Sequence, residues 1–441
     1  MQTKDTMTRT QAQSRTGALR AVFLAQVVNT AGSGISTVAL PLLVFRGAGI
    51  VATGLVFVVV SLPGLLFGLH AGALADRFNR KTLVVAGNLI QGTLLAGTPA
   101  TYREFGVAGV AGLAFASRTF GVFASPATSA ALPEIAGERY QQLLGKLTAL
   151  NFLAQAVGPA LGGALVGLVG APDAILGDAA SFILAGALIA TIQSFDQSRA
   201  ARCAERAANP ASTSRDLVAG LAYTWQHPVP RGLLIYWSAS IAAVPIALIA
   251  AIPYVTRVLG ASSFDYGVAV ACYAVGSIAG SLISGKLKFR GGKRAWLLAA
   301  GLTYGGVNLV ILGHPPFPAF CLLWVIWGLA YGPEEVITGL IFAQAVPDSL
   351  RGRAYSVVGV VMSTASIIGY LAGGELTAHI GATQTMAIAG YVFIVASAWS
   401  FGFSALAREI PRLDDQLDGT ARTGSFCADE PEPNDEQGSA Q

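Results

Sequence analysis

Several groups of residues in this 441-residue chain have types and spacings that could do chemistry. Trp324, Trp327, Tyr331, Glu334 and Glu335 follow one another at helical steps. At about 100° per residue these steps place them within roughly a third of a helix circumference. Aromatic rings beside carboxylates suit an amphipathic or cationic solute through stacking and cation–π attraction, and either glutamate could also exchange a proton. Gln26, Asn29, Thr30, Ser33 and Thr37 recur at three- and four-residue steps, giving one polar stripe on an otherwise apolar stretch. That stripe is expected to face an aqueous cavity, the alternative being hydrogen bonds between helices. Arg118 stands alone in a long apolar run, where a membrane would penalise it by roughly 2.5–3.5 kcal/mol, so it is expected to face the cavity and to pair with a carboxylate or sense its protonation. Asp178 is a candidate partner, although its place near an outer helix start reads as solvated. Tyr273, Ser277, Ser281 and Ser284 form another polar face, and Gly276 and Gly280 beside it favour close packing at least as much as solute contact.

Other chemistries lack their residues. Gly145-Lys146 is followed by Leu147 and Gly285-Lys286 by Leu287, so no phosphate-cradling G-x-x-x-x-G-K-[ST] loop occurs and ATP is not expected. Cys203, Cys272, Cys321 and Cys427 have neither metal-ligand nor pairing spacing, and His70, His227, His314 and His379 fall in loops or at the ends of apolar runs. No catalytic residues, metal or cofactor are therefore expected, and the chain does not read as an enzyme. A gradient, with protons the natural choice, is left to drive whatever it does.

The elements that must position these residues are membrane helices. Charged residues are 12% of the chain, against roughly 25% in soluble domains. Hydrophobic residues reach 53%, with a mean hydropathy of +0.59. Cutting at charge clusters and Gly/Pro turns gives twelve spans of about 20 residues or more. They lie near 19–45, 50–71, 82–102, 107–131, 147–169, 173–195, 232–257, 263–285, 295–313, 317–343, 355–378 and 383–406. The expected fold class is thus an all-α membrane protein of two six-helix halves, 1–195 and 232–408, joined by a polar linker over 196–231. Residues 409–441, acidic and poor in large apolar side chains, read as a disordered tail. Basic residues fix the direction, because Lys and Arg stay on the cytoplasmic side of short loops. With the N-terminus inside, only Arg46, Arg103 and Arg257 fall outside. Both termini are then cytoplasmic, and the net charge of +4 reports topology and not nucleic-acid binding.

The halves repeat. Gly72, Arg77, Arg80 and Lys81 correspond to Gly285, Arg290, Lys293 and Arg294 at one offset of 213. Gly158, Gly162 and Gly163 correspond to Gly369, Gly373 and Gly374 at 211, and Leu132-Pro133-Glu134 to Val346-Pro347-Asp348 at 214. Three echoes in one order indicate parallel repeats that rock about a central site.

The string Gly72, Asp76, Arg77, Asn79, Arg80, Lys81 resembles the G-x-x-x-D-R-x-G-R-K loop between the second and third helices of the major facilitator superfamily, with Asn79 where the pattern has Gly. Asn tolerates a left-handed backbone, so the turn is expected to survive. The resemblance implies a major facilitator fold. It also implies that Gly72, Asp76, Arg77, Arg80 and Lys81 form a cytoplasmic latch of the outward-open state, one-sided because Phe289 replaces the acidic residue in the second copy. Gly158, Pro159, Gly162 and Gly163, with Ala154 for a leading Gly, resemble the G-P-x-x-G-G signature of antiporter-type exporters, and Arg118 resembles their fourth-helix Arg. The run from Ser125-Pro126 to Glu134 is similar to the branch of macrolide-efflux proteins and the enterobactin exporter. The resemblance implies a monomer in the plasma (inner) membrane that exports a small amphipathic compound such as a drug, antibiotic or siderophore by proton antiport. Its partners would be that small molecule and the lipid bilayer. A proton-coupled nutrient importer is the alternative within the class, and a non-transporting receptor or scaffold the one outside it.

Overall fold

The computed structural model describes residues 2–75, 78–136, 140–192, 213–284 and 292–410, and these are helical almost throughout. Its first helical run, Gln2–Ala75, breaks at Gly49, whose φ of 82° and ψ of −173° suit only glycine. At about 1.5 Å per residue an unbroken helix of that length would far exceed a bilayer core of roughly 30 Å. The reversal therefore makes two crossings, α1 (2–48) and α2 (50–75). Gly106, at φ 59°, divides Thr98–Ala136 in the same way. The limb before it extends α3 (Arg80–Ala96), and the limb after it is α4 (107–136).

The first half ends with α5 (Tyr140–Val169) and α6 (Ala171–Ala190). A short helix, α7 (Thr213–Gln226), precedes α8 (Pro228–Pro253), α9 (Ser263–Ser284) and α10 (Gly292–Val310). The chain continues through α11 (Phe317–Ala345), α12 (Asp348–Ile380) and α13 (Ala382–Ser397). Among the described residues nine helices are long and apolar enough to cross a membrane; they become twelve crossings because Arg20–Gly68 holds two and α3 and α5 add one each. Exposed apolar side chains such as Leu168, Leu282 and Phe403 form the outer girdle that lipid would cover.

Three local features differ from the sequence expectations. Within the stretch read as a linker, α7 packs on the second half, with the Tyr223 hydroxyl donating to the Ala345 carbonyl at 2.9 Å and Gly220 against the backbone of Arg353. Helix α1 begins at Gln2, well before the apolar run. Asn79 is not left-handed: its φ of −65° and ψ of 120° are extended, and its side-chain oxygen accepts the Thr82 N–H at 3.1 Å. It serves as the N-cap of α3, a role its short amide fills well.

Glycines set how the halves meet. Gly158 and Gly162 of α5 pack on Gly34 and Ile35 of α1, whereas Gly163 faces Phe264 and Gly267 of α9. In the second repeat Gly369 and Gly373 of α12 pack on Ala242 and Ile246 of α8, whereas Gly374 faces Val51 and Gly54 of α2. Two glycines of each trio thus join a helix of their own half, and the third meets the opposite half. A Cβ on Gly163 would lie 2.7 Å from the Ser263 carbonyl oxygen, so a larger residue would push the halves apart. Two arginines reinforce this end: Arg46 donates to the Ser263 hydroxyl, and the Arg257 guanidinium stands 4.5 Å over the Phe45 ring. The halves are therefore closed where Arg46 and Arg257 lie.

Candidate functional site

Among the described residues three chambers lie between the helices, and Ser33 lines all of them. The first, of about 800 Å³, runs from Arg118 past Asn151 to Ala71, Thr128 and Leu147, toward the basic ends of the helices. A second, of about 370 Å³, lies deeper between α1, α3, α4 and α6. The third, of about 650 Å³, separates the halves, with Thr30 and Pro159 on one wall and Tyr273, Tyr331 and Glu335 on the other.

The first half contributes amides and hydroxyls. Gln26, Asn29 and Ser33 line the first chamber, and the Thr30 hydroxyl donates to the Gln26 carbonyl at 2.7 Å while lying 3.1 Å from Asn151 Oδ1. The stripe therefore both faces space and links α1 to α5. Asn88 and Gln91 of α3 complete this wall. Their amide nitrogens donate to the backbone carbonyls of Val84 and Gly87, at 2.7 and 3.0 Å, and Asn88 Oδ1 keeps no partner among the described residues. Asn88, Gln91 and Asn151 are not among the residues that the sequence pattern singles out, although polar residues three apart in α3 carry the same signal as the α1 stripe.

The second half contributes aromatic rings, but not the tryptophans expected from the sequence. Trp324 and Trp327 are fully buried and line none of these chambers. The Trp327 ring stands edge-on to Tyr304 at 4.6 Å and to Trp324 at 5.4 Å, with Tyr273 at 4.9 Å, so it is core. The reason is close packing of α11 on α9, where Gly328 and Gly332 meet the α9 backbone at Tyr273, Ser277 and Ser281. That contact turns the tryptophans inward and leaves Tyr331 and Glu335 at the cavity. Glu334 points the other way, buried beside Tyr236. Tyr273, Ser277 and Ser281 of α9 line the inter-half chamber as well as packing on α11.

Arg118 reaches into the first and second chambers, exposed to them and without a hydrogen-bond or ion-pair partner among the described residues. Asp178 is not the solvated helix-start group expected: it is 3% exposed, accepts the Ser36 hydroxyl at 2.5 Å and lies 3.4 Å from Ser181 Oγ. It lines the second chamber together with Arg118. Seven residues into α6, about 10 Å from the helix end, it has already passed below the rim.

Of the loop motif, Gly72 lies in α2, and Arg80, buried, and Lys81 open α3. Asp76 and Arg77 lie outside the described residues, as does most of the second copy. Arg294 of that copy donates to the Phe401 and Gly402 carbonyls at 2.6 and 2.9 Å, tying the start of α10 to the turns that follow α13.

A family model described as transmembrane secretion effector matches residues 8–418. The multidrug efflux pump Tap of Mycobacterium tuberculosis is 30% identical over 382 residues, which cover 82% of this chain and 88% of that pump. Tap of Mycolicibacterium fortuitum is 28% identical over 385 residues, covering 84% and 92%. Among solved structures, a bacterial homologue of the human lysosomal transporter Spinster has a TM-score of 0.67 at 15% identity over 91% of this chain and 98% of that one. The peptide transporter POT also reaches 0.67 at 15% identity, over 90% and 95%, so the likeness is one of fold.

Proposed function

The chain belongs to the transmembrane secretion effector family of the major facilitator superfamily, and from that premise we propose that it exports a small amphipathic compound, favouring cations, from the cytoplasm in exchange for protons. One observation carries this reading: a cavity between two repeats, shut at the Arg46 end, open toward the basic end and lined by amides on one side and by aromatic rings with Glu335 on the other. Positive charge retention makes the basic end cytoplasmic, so this conformation is inward-open in the inner membrane of a bacterium. An amphipathic cation entering there would lay its apolar body on Tyr273 and Tyr331, put its charge near Glu335 and hydrogen-bond to the α1 stripe. Rocking of the halves would then break the Gly163 and Gly374 crossings and close the basic end. The Gly72 to Lys81 loop would latch that outward-open state through Asp76 and Arg77. The relatives named multidrug efflux pumps support the direction of transport and the class of solute.

The test is uptake of ethidium into inverted vesicles under an imposed pH gradient, acid inside. Wild-type vesicles should accumulate the dye and lose it when the gradient is collapsed; dye movement that ignores the gradient would sink the antiport reading. Glu335→Gln should lower uptake about tenfold, equivalent to about 1.4 kcal/mol, while Glu334→Gln, buried away from the cavity, should mainly affect folding.

A further inference from the structure

An antiporter needs one group that can be reached from the cavity, can change charge, and is held without a fixed counter-ion. On α1, where the polar stripe lies, no acidic residue occurs within the span, so the stripe cannot hold a proton in that way. Glu335 meets the solute and Glu334 is walled in by the second half. Among the described residues one further buried carboxylate remains inside the bundle, Asp178, and three observations converge on it. It is almost wholly buried, yet it borders the second chamber, which Ser33, Gln91 and Arg118 join to the first. Hydroxyls alone hold it, from Ser36 and Ser181. The cation of the same chamber, Arg118, makes no ion pair with it or with any other described residue.

We propose that Asp178 binds and releases the coupling proton, with Arg118 as the counter-ion that approaches it when the proton leaves. This assignment rests on the antiport reading above and adds the residue that carries it out. Hydroxyls can serve both charge states, donating to a carboxylate and accepting from a carboxylic acid, so Ser36 and Ser181 need not move as the proton comes and goes. Arg118 can serve only the ionised state, since a guanidinium has no acceptor. The inward-open arrangement, with Arg118 reaching into the cavity, is the protonated one. Loss of the proton to the cytoplasm leaves an unpaired charge in a dry pocket, which draws Arg118 across the chamber from α4 to α6. That movement alters the wall at Gln91 and Ser33, where the chambers meet. The surroundings are otherwise uncharged: α1 brings Ser33, Ser36 and Thr37, α3 brings Gln91 and Thr98, and α5 brings no titratable side chain to this chamber. The feature that allows the arrangement is Gly32, whose Cβ would collide with Ser181 and lie 3.0 Å from Asp178 Oδ1.

Purified protein in proteoliposomes, with ethidium as the probe, tests this in two modes. Gradient-driven transport requires the proton cycle, whereas counterflow exchange of labelled for unlabelled dye does not. Asp178→Asn should lose gradient-driven transport at least roughly tenfold and keep counterflow near the wild-type rate; gradient-driven transport at the wild-type level would overturn the assignment. If Asp178→Asn fails to fold, Ser36→Ala takes its place, because losing one charge-assisted hydrogen bond should move the pH midpoint of efflux by about one unit. An unmoved midpoint would equally overturn it. A wild-type protein whose transport ignores the gradient would instead overturn the antiport reading, an outcome these variants leave distinct.

Discussion

The two halves share a backbone plan but have opposite interiors. Gly158, Gly162 and Gly163 are matched contact for contact by Gly369, Gly373 and Gly374, so each half grips its own helix and its neighbour in the same way. The first half turns Asn88, Gln91, Arg118 and Asn151 toward an open chamber that Ser363 and Ser366 of α12 close from the other side, whereas the inside of the second half is filled by Trp324, Trp327, Tyr304, Phe320 and Phe393. Burial follows in part: the apolar windows of Arg20–Gly68 and Thr98–Ser125 are 22% enclosed in protein, against 33–56% for the spans of the second half, while α6 of the first half, at 44%, is packed like the second. The contacts between the halves are equivalent in the two repeats, and the interiors are not. A wet half can host charges that move, and a packed half gives a rigid wall against which a solute can be bound.

The largest expected effect breaks this comparison where it is steepest. Trp327→Ala should cost about 3–5 kcal/mol of stability, since a fully buried ring leaves a cavity in the packed half. Asn88→Ala in the wet half should cost only about 1 kcal/mol, one helix-backbone hydrogen bond. Thermal unfolding of both variants in one detergent measures the difference, and equal losses would mean that the halves are packed alike. Next comes the shared crossing. Gly163→Leu and Gly374→Leu should each disfavour the conformation closed at the Arg46 end by about 1–3 kcal/mol through overpacking. A Ser263→Cys reporter, at a site buried here, should then label faster from outside in both variants. A response in only one of them would show that the two crossings are not equivalent.

The sequence exposed most of the frame because hydropathy and charge act locally. The breaks at 45–50 and 102–107 are where Gly49 and Gly106 reverse the chain, and the glycine echoes became matched helix crossings. The site was only partly legible, because one helix cannot reveal its own rotation. Trp324 and Tyr331 lie on one side of α11, yet the close approach of α9 at Gly328 and Gly332 buries the first and leaves the second half-buried at the edge of the cavity. Glu334 and Glu335 are neighbours in the chain, and the same contact sends them to opposite environments. Asp178 looked solvated because its distance from the helix end is readable, while Gly32, which admits Ser181 beside it, is a residue of another helix.

The smallest effects belong to the loop, where the repeats part most subtly. At the offset of 213 Asn79 corresponds to Gly292. Asn79 is extended and caps α3, whereas Gly292 is left-handed at φ 83°, so one turn position is solved by a hydrogen bond and the other by the absence of a Cβ. Gly292→Ala should therefore cost about 1–2 kcal/mol, the price of a left-handed backbone for an L-residue. Asn79→Gly, which restores the family pattern, should cost only a few tenths of a kcal/mol, and Asn79→Ala about 1 kcal/mol, because Gly is a tolerable N-cap and Ala is not. Thermal unfolding of the three variants would rank them. If Asn79→Ala were as mild as Asn79→Gly, the cap would contribute nothing, and the two copies of the loop would differ in sequence without differing in how they are held.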